Sequence, residues 1–134
     1  MVVLHLVCIA GTIAALFGIS LSGDPSPPEC KVLDPDAASE LIKTSGKDLQ
    51  ILDVRTPEEF QSEHIHDAVN VNVRDPDFAE QISMFKEDMP VLAYCKSGVR
   101  SETAGTTLVS KGFKEVYLIK GGIEGWKGAG YPVE

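Results

Sequence analysis

The chain has 134 residues, 43% of them hydrophobic and 24% charged, which gives enough material for one hydrophobic core and none for a second. Lys and Arg number 12 against 20 Asp and Glu, a net charge of −8, so the chain repels phosphate backbones and general nucleic-acid binding is excluded. Cys8, Cys30 and Cys95 are its three cysteines and no two form a Cys-x-x-Cys pair, so neither a disulfide framework nor a Cys-rich zinc module fits.

From Val2 to Leu21 no residue is formally charged; the first acid is Asp24 and the first basic residue is Lys31. Such a run suits a signal peptide, with Ser20-Leu21-Ser22 as small residues at a cleavage site, or a retained membrane anchor. Neither has its usual basic flank, because no Lys or Arg precedes the run. Gly11, Gly18 and the small residues at its end favour the signal peptide over residues 1–22. A buried helix is the weaker alternative, since it would need apolar surroundings on all sides. Asp24-Pro-Ser-Pro-Pro28 reads as an extended linker, placing a linker at 23–30 and a globular domain at 31–134. Cys30, just past the prolines, is expected to be a passive thiol. The domain is expected to be exported to the periplasm or another extracytoplasmic space, and to touch a membrane only if the first segment is retained.

The globular part alternates strands and helices. Lys31–Leu33 is a short strand candidate. Asp34 and Pro35 open a helix that carries Ala37, Ala38, Leu41 and Ile42 and stops at Gly46. Leu49–Val54 reads as a buried strand. Thr56-Pro57-Glu58-Glu59 supplies a capping residue, a proline at the first helical position and two acids at the positive end of the helix dipole. Ala68–Val71 is a strand, 75–86 a helix, Pro90–Tyr94 a strand, 97–111 a helix closed by Gly112, Glu115–Ile119 a strand and Gly122–Lys127 a last short helix. The alternation predicts an α/β fold with a mostly parallel central sheet and helices on both faces.

Cys95 closes the strand Pro90-Val-Leu-Ala-Tyr94 and is followed by Lys96-Ser97-Gly98-Val99-Arg100-Ser101 and a helix. Ligands of parallel sheets bind beyond the carboxyl ends of the strands. A loop turning there into a helix aims several backbone N–H groups at one point, an anion cradle. The dipole, Lys96 and Arg100 all favour a thiolate at Cys95, and Gly98 allows backbone angles that a β-carbon forbids. A lone cysteine is most often an inert core residue; this position and these flanking charges point instead to a nucleophile.

The segment Cys95–Ser101 resembles the active-site loop of rhodanese (thiosulfate sulfurtransferase) domains. Asp53-Val-Arg55-Thr-Pro-Glu-Glu-Phe60 with His64-Ile65 is similar to the upstream signature of that family. Gly112-Phe113, Val116-Tyr117, Gly121-Gly122-Ile123, Trp126 and Pro132-Val133 are similar to its C-terminal signature. The resemblance covers about residues 31–134. It departs at Glu63, where the family usually has glycine, and at His66-Asp67, where Pro-Gly often stands. These departures bear on how substrate reaches the site, not on the loop.

The resemblance implies a rhodanese-like fold and a sulfurtransferase that needs no cofactor. Cys95 would carry a sulfane sulfur as a persulfide, taken from thiosulfate or a similar donor and passed to a thiol or cyanide. The backbone from Lys96 through Ser97, Gly98 and Val99 to Arg100 would hold the charge of the persulfide. Lys96 would attract the anionic donor, and Arg100 would turn inward and tie down the loop. Asp53, Arg55 and Ser101 would support the loop, with Arg55 partnered by Glu58 or Glu59. The partners implied are a small anionic sulfur donor and a thiol acceptor, and a monomer is expected. Related phosphatases have a loop one residue longer than Cys95–Arg100, and here the next position is Ser101. A phosphatase or arsenate reductase is thus the distant alternative. A sulfur carrier or a docking module for a redox partner is the nearer one, although a binding-only domain would be expected to lose Cys95.

His64 and His66 with Glu63 and Asp67 could in principle hold a metal, but two surface histidines are the simpler reading and no metal site is assigned. The glycines from 121 to 130 have neither G-x-G-x-x-G nor P-loop spacing and are read as turn and packing positions. Trp126 and Tyr94 are read as core residues.

Overall fold

The computed structural model describes residues 29–134; the predicted export segment and most of the linker lie outside them. Five strands, β1 (Glu29–Leu33), β2 (Gln50–Asp53), β3 (Val69–Asn70), β4 (Val91–Tyr94) and β5 (Glu115–Ile119), form one sheet in the order β1-β5-β4-β2-β3. Every pairing is parallel. A parallel sheet must be covered on both faces, and β4, at its centre, is fully buried from Val91 to Tyr94. Successive side chains on a strand point to opposite faces. Val91 and Ala93 therefore join Leu108, Phe113 and Cys95 in one apolar cluster, while Leu92 and Tyr94 join Ala38, Ile123 and Trp126 in the other.

The helices are α1 (Pro35–Ser45), α2 (Pro57–Ser62), α3 (Phe78–Gln81), α4 (Val99–Ser110) and α5 (Gly122–Gly128). Pro35 occupies the start of α1, and Gly46 ends it with a φ of 53°. At α2 the Thr56 hydroxyl accepts from the Glu59 N–H, and the Glu59 carboxylate reaches back to the Thr56 N–H, a reciprocal cap that satisfies two donors the helix cannot.

Two predicted helices differ in extent. The helix expected over 75–86 is only α3, followed by a 3₁₀ turn over Ile82–Met84. Pro76 biases Asp75 away from helical angles, and the Phe78 N–H bonds the Asp75 carbonyl as a turn. The helix expected from Ser97 starts at Val99, because residues 95–98 wrap around the cysteine sulfur instead. Cys30 is disulfide-bonded, which corrects the expectation of a passive thiol. Cys95 is the free cysteine among the described residues. No helix of the described residues is long and apolar enough to cross a membrane.

Candidate active site

Cys95 follows directly on β4, at the carboxyl end of the sheet's central strand, and is 1% exposed. The period-two alternation that buries Val91 and Ala93 carries Cys95 to the α4 side of the sheet. There the Gly98 N–H donates to Cys95 Sγ at 2.9 Å, and the Ser101 hydroxyl lies 3.5 Å from the same sulfur while donating to the Gly98 carbonyl at 3.1 Å. Gly98 caps α4 with a φ of 106°, a backbone angle that a β-carbon strongly disfavours. The structure thus brings Cys95, Gly98 and Ser101 together around one sulfur at a helix N-terminus.

The start of α5 holds the loop from the other side. The Ile123 N–H donates to the Cys95 carbonyl at 2.8 Å and the Glu124 N–H to the Lys96 carbonyl at 3.1 Å. Two donors left unsatisfied by the first turn of α5 therefore fix the cysteine backbone. The close approach requires Gly122: a β-carbon there would sit 2.4 Å from the Cys95 carbonyl oxygen. The C-terminal Gly-Gly-Ile segment is a packing element of the site.

Arg100 joins the loop to α2. Its Nη1 and Nη2 donate to the two carboxylate oxygens of Glu59 at 2.7 and 3.0 Å. The hydrogen bond from Arg100, opposed by burial and aided by its charge, lowers Glu59 from 4.5 to about 2. The same bond raises the Arg100 pKa. The sequence expectation, Arg100 turned inward to tie down the loop, names no partner for it; the structure supplies Glu59. The capping-box spacing Thr56-x-x-Glu59 was the available signal, since a glutamate pinned at both oxygens is a fixed anchor.

Arg55 does not pair with Glu58 or Glu59, which corrects the sequence expectation. It forms a buried pair with Asp53, with Nη2 to Oδ2 at 2.7 Å and Nε to Oδ1 at 3.0 Å. Asp53 is fully buried and needs a cation there, whereas Arg100 has taken Glu59. Arg55 also donates to the Glu63 carbonyl at 2.6 Å, and its guanidinium carbon lies 5.7 Å from the centre of the Tyr94 ring. Burial, first, and then the charge of Asp53 push the Tyr94 phenol well above its ordinary value. The hydrogen bonds of Asp53 and Arg55 brace the chain around β2 and the segment after α2, and both side chains lie against Tyr94, the residue before Cys95.

Lys96 is exposed and lies 3.8 Å from Glu124. Beside it is a cavity of about 180 Å³ lined by Arg55, Glu59, Glu63, Lys96, Glu124 and Lys127, with Ser62 and Ile123. Lys127 pairs with Glu63, the residue that replaces the family's glycine. This mouth carries three cations and three acids. Elsewhere, His64 stacks on Phe60 with ring centres 4.0 Å apart, and His66 is exposed and bonded to Glu134. Among the described residues no group of three or more His, Cys, Asp or Glu side chains could hold a metal ion.

A parallel α/β sheet whose central strand ends in a buried, free cysteine at a helix N-terminus defines the class of the fold and the candidate site. The rhodanese-like domain family matches residues 34–129, and the chain belongs to that family, which includes relatives named thiosulfate sulfurtransferase. A thiosulfate sulfurtransferase GlpE from Vibrio cholerae is 36% identical over 103 residues, 76% of this chain and 92% of that protein. A thiosulfate sulfurtransferase GlpE from Coxiella burnetii is 38% identical over 90 residues, 67% of this chain and 80% of that protein. The crystal structure of a rhodanese-related protein from Thermoplasma volcanium superposes with a TM-score of 0.67 at 28% identity, covering 77% of this chain and 96% of the other.

Proposed function

We propose that the protein is a thiosulfate sulfurtransferase working through a Cys95 persulfide. The observation that carries the reading is the Gly98 N–H on Cys95 Sγ at 2.9 Å, in a loop that places the sulfur at the α4 N-terminus. The Cys95 thiolate attacks the outer sulfur of thiosulfate; the S–S bond of the donor breaks and sulfite leaves with its electron pair. The terminal sulfur of the new persulfide bears the negative charge, which the dipole of α4 and the loop N–H groups stabilise. An acceptor thiolate, or cyanide, then attacks that terminal sulfur and returns Cys95 as thiolate. Two displacements replace one difficult transfer. Lys96, at the mouth, binds the donor.

Phosphoryl or arsenate chemistry is the less supported reading. Its cradle needs a guanidinium over the thiolate, and Arg100 is committed to Glu59 at both terminal nitrogens. The test is intact-mass spectrometry of the full chain after incubation with thiosulfate. A gain of one sulfur atom, lost on adding cyanide, is the expected result. No gain, or a phosphoenzyme with a phosphoryl donor, overturns the reading.

Export is the second part of the proposal. The uncharged run Val2–Leu21 supports translocation to an extracytoplasmic space, where Cys95 depends on reduced or persulfidated partners. N-terminal sequencing of the native protein tests it. A start between Ser22 and Pro25 supports cleavage, an intact Met1 in the membrane fraction supports an anchor, and intact soluble protein in the cytoplasm overturns both.

A further inference from the structure

A second cavity lies apart from the cysteine loop, on the sheet face covered by α1 and α5. Its volume is about 740 Å³, within the roughly 300–1,000 Å³ typical of small-molecule sites. Ile42 from α1, Leu49 and Ile51 from the start of β2, Ile65, and Trp126 from α5 give it an apolar floor. None of its lining residues belongs to the Cys95–Ser101 loop or to the charged mouth beside it.

The wall formed by the last residues is held in place. Trp126 Nε1 donates to the Pro132 carbonyl at 2.9 Å, the Tyr131 ring lies 4.7 Å from that of Trp126, and the Tyr131 hydroxyl is bonded to Asp36. The cavity is therefore shaped by hydrogen-bonded structure rather than left by a loose end.

Its polar groups are unevenly distributed. Lys43, in the last turn of α1, and Lys47, just beyond it, are exposed and line one side. Neither has an ion-pair partner among the described residues, unlike Lys96 and Lys127 at the catalytic mouth. The acid in the lining is Asp67, which faces His66 at 3.5 Å, and His66 in turn bonds Glu134 at 2.9 Å. The charged lining residues at the C-terminal end of α1 and just beyond it are thus two lysines, while the acids of α1, Asp36 and Glu40, stand nearer its start, toward Tyr131.

From this juxtaposition we propose that the cavity binds a small single-chain anionic amphiphile, an alkyl monocarboxylate whose tail covers Ile42, Leu49, Ile51, Ile65 and Trp126 while its carboxylate sits between Lys43 and Lys47. Burial of the tail supplies most of the affinity, and the two lysines select the sign of the head group. This site is independent of the sulfur chemistry proposed for Cys95.

The single tryptophan of the chain lines the cavity and provides the readout. The full chain is titrated with decanoate below its micelle concentration, followed by Trp126 fluorescence and calorimetry, with decyltrimethylammonium as the cation of equal tail length. Saturable one-to-one binding of decanoate, with the cation much weaker, is the expected result. The double variant Lys43→Glu, Lys47→Glu should bind decanoate about tenfold more weakly, as expected when two surface attractions become repulsions. Both side chains are exposed, so the fold should be retained, with a slightly lower melting temperature because Lys43 sits in the last turn of α1 where the helix dipole favours a cation, and thiosulfate loading of Cys95 should be unaltered. Absence of saturable binding, equal affinity for the cation, or an unaffected double variant overturns the proposal. So does sedimentation with phosphatidylglycerol vesicles when free decanoate does not bind, which would make the face a membrane contact.

Discussion

Glu59 receives both terminal nitrogens of Arg100, at 2.7 and 3.0 Å, while its backbone N–H and carboxylate close the cap of α2 on Thr56. One side chain thereby links the turn after β2 to the cysteine loop. The bidentate pair is partly shielded from solvent and is worth about 1 kcal/mol. The Glu59→Gln variant should lose about that much stability at neutral pH and turn over several-fold more slowly, because the loop loses its anchor. The pH dependence has a definite sign. A carboxylate depressed from 4.5 to about 2 stabilises the fold fully above the upper value and loses that contribution as pH falls toward the lower one. Urea unfolding from pH 7 to pH 2 should show the gap between parent and variant closing below about 4.5. A gap that persists unchanged to pH 2 would show that Arg100 acts through other contacts.

Cys95→Ser should abolish thiosulfate-to-cyanide sulfur transfer and leave the melting temperature close to the parent's. A serine hydroxyl stays protonated at neutral pH and cannot hold a sulfane sulfur. Clear residual turnover in a folded variant would place the chemistry on another group.

Gly122→Ala tests the seat of the loop on α5. The added carbon would lie 2.4 Å from the Cys95 carbonyl oxygen and 2.6 Å from the Lys96 carbonyl, and the φ of 62° adds backbone strain. Either α5 or the cysteine loop must move. The expected outcome is a loss of about 1–3 kcal/mol in stability and a fall in kcat of tenfold or more. Parent-like kcat would mean that the loop is positioned by α4 alone.

Arg55→Ala should be the most destabilising of these changes. It leaves Asp53, fully buried, without its counter-charge, a situation that costs about 3–5 kcal/mol. Asp53→Asn with Arg55→Met should recover much of the loss in a double-mutant cycle, since neither charge then remains. Failure of the double variant to recover would assign the loss to the Arg55 bond with the Glu63 carbonyl.

What the sequence revealed and what it hid follow the range of the interactions. The cap of α2 was legible because Thr56 and Glu59 are three residues apart and their types declare the motif. The strands were legible because β4 is apolar without interruption and β-branched or aromatic residues mark its neighbours. The Glu59–Arg100 pair was not, since it joins residues 41 apart. Arg55 was misassigned for the complementary reason. Its neighbour Asp53 lies in the strand read as buried, but a buried strand does not declare which cation will neutralise its carboxylate, and only the folded chain sets Arg55 against it. The helix expected over 75–86 looked continuous by composition, but Pro76 and the turn on Asp75 shortened it. The neutral balance of the mouth also came from packing, because Glu63 at the end of α2 and Glu124 and Lys127 of α5 converge there from two segments distant in the chain.

Arg55, Lys96 and Lys127 face Glu59, Glu63 and Glu124 around that mouth. Lys96 is exposed, 3.8 Å from Glu124, so its field at the mouth is partly cancelled. Lys96→Ala should raise KM for thiosulfate several-fold with little change in kcat, because an exposed cation that draws in a dianion acts on binding more than on bond making. Glu124→Gln should do the opposite. It frees Lys96 from its partner and removes a negative charge from the path of the donor, so KM should fall while kcat holds. Both effects should shrink as ionic strength rises from 10 mM to roughly 0.5 M, where charges several ångströms apart are screened. Steady-state kinetics on the two variants across that range is the measurement. A rise in KM for Glu124→Gln would show that the carboxylate orients Lys96 rather than masking it. A fall in kcat for Lys96→Ala at constant KM would move the lysine from donor binding into the transition state of sulfur transfer.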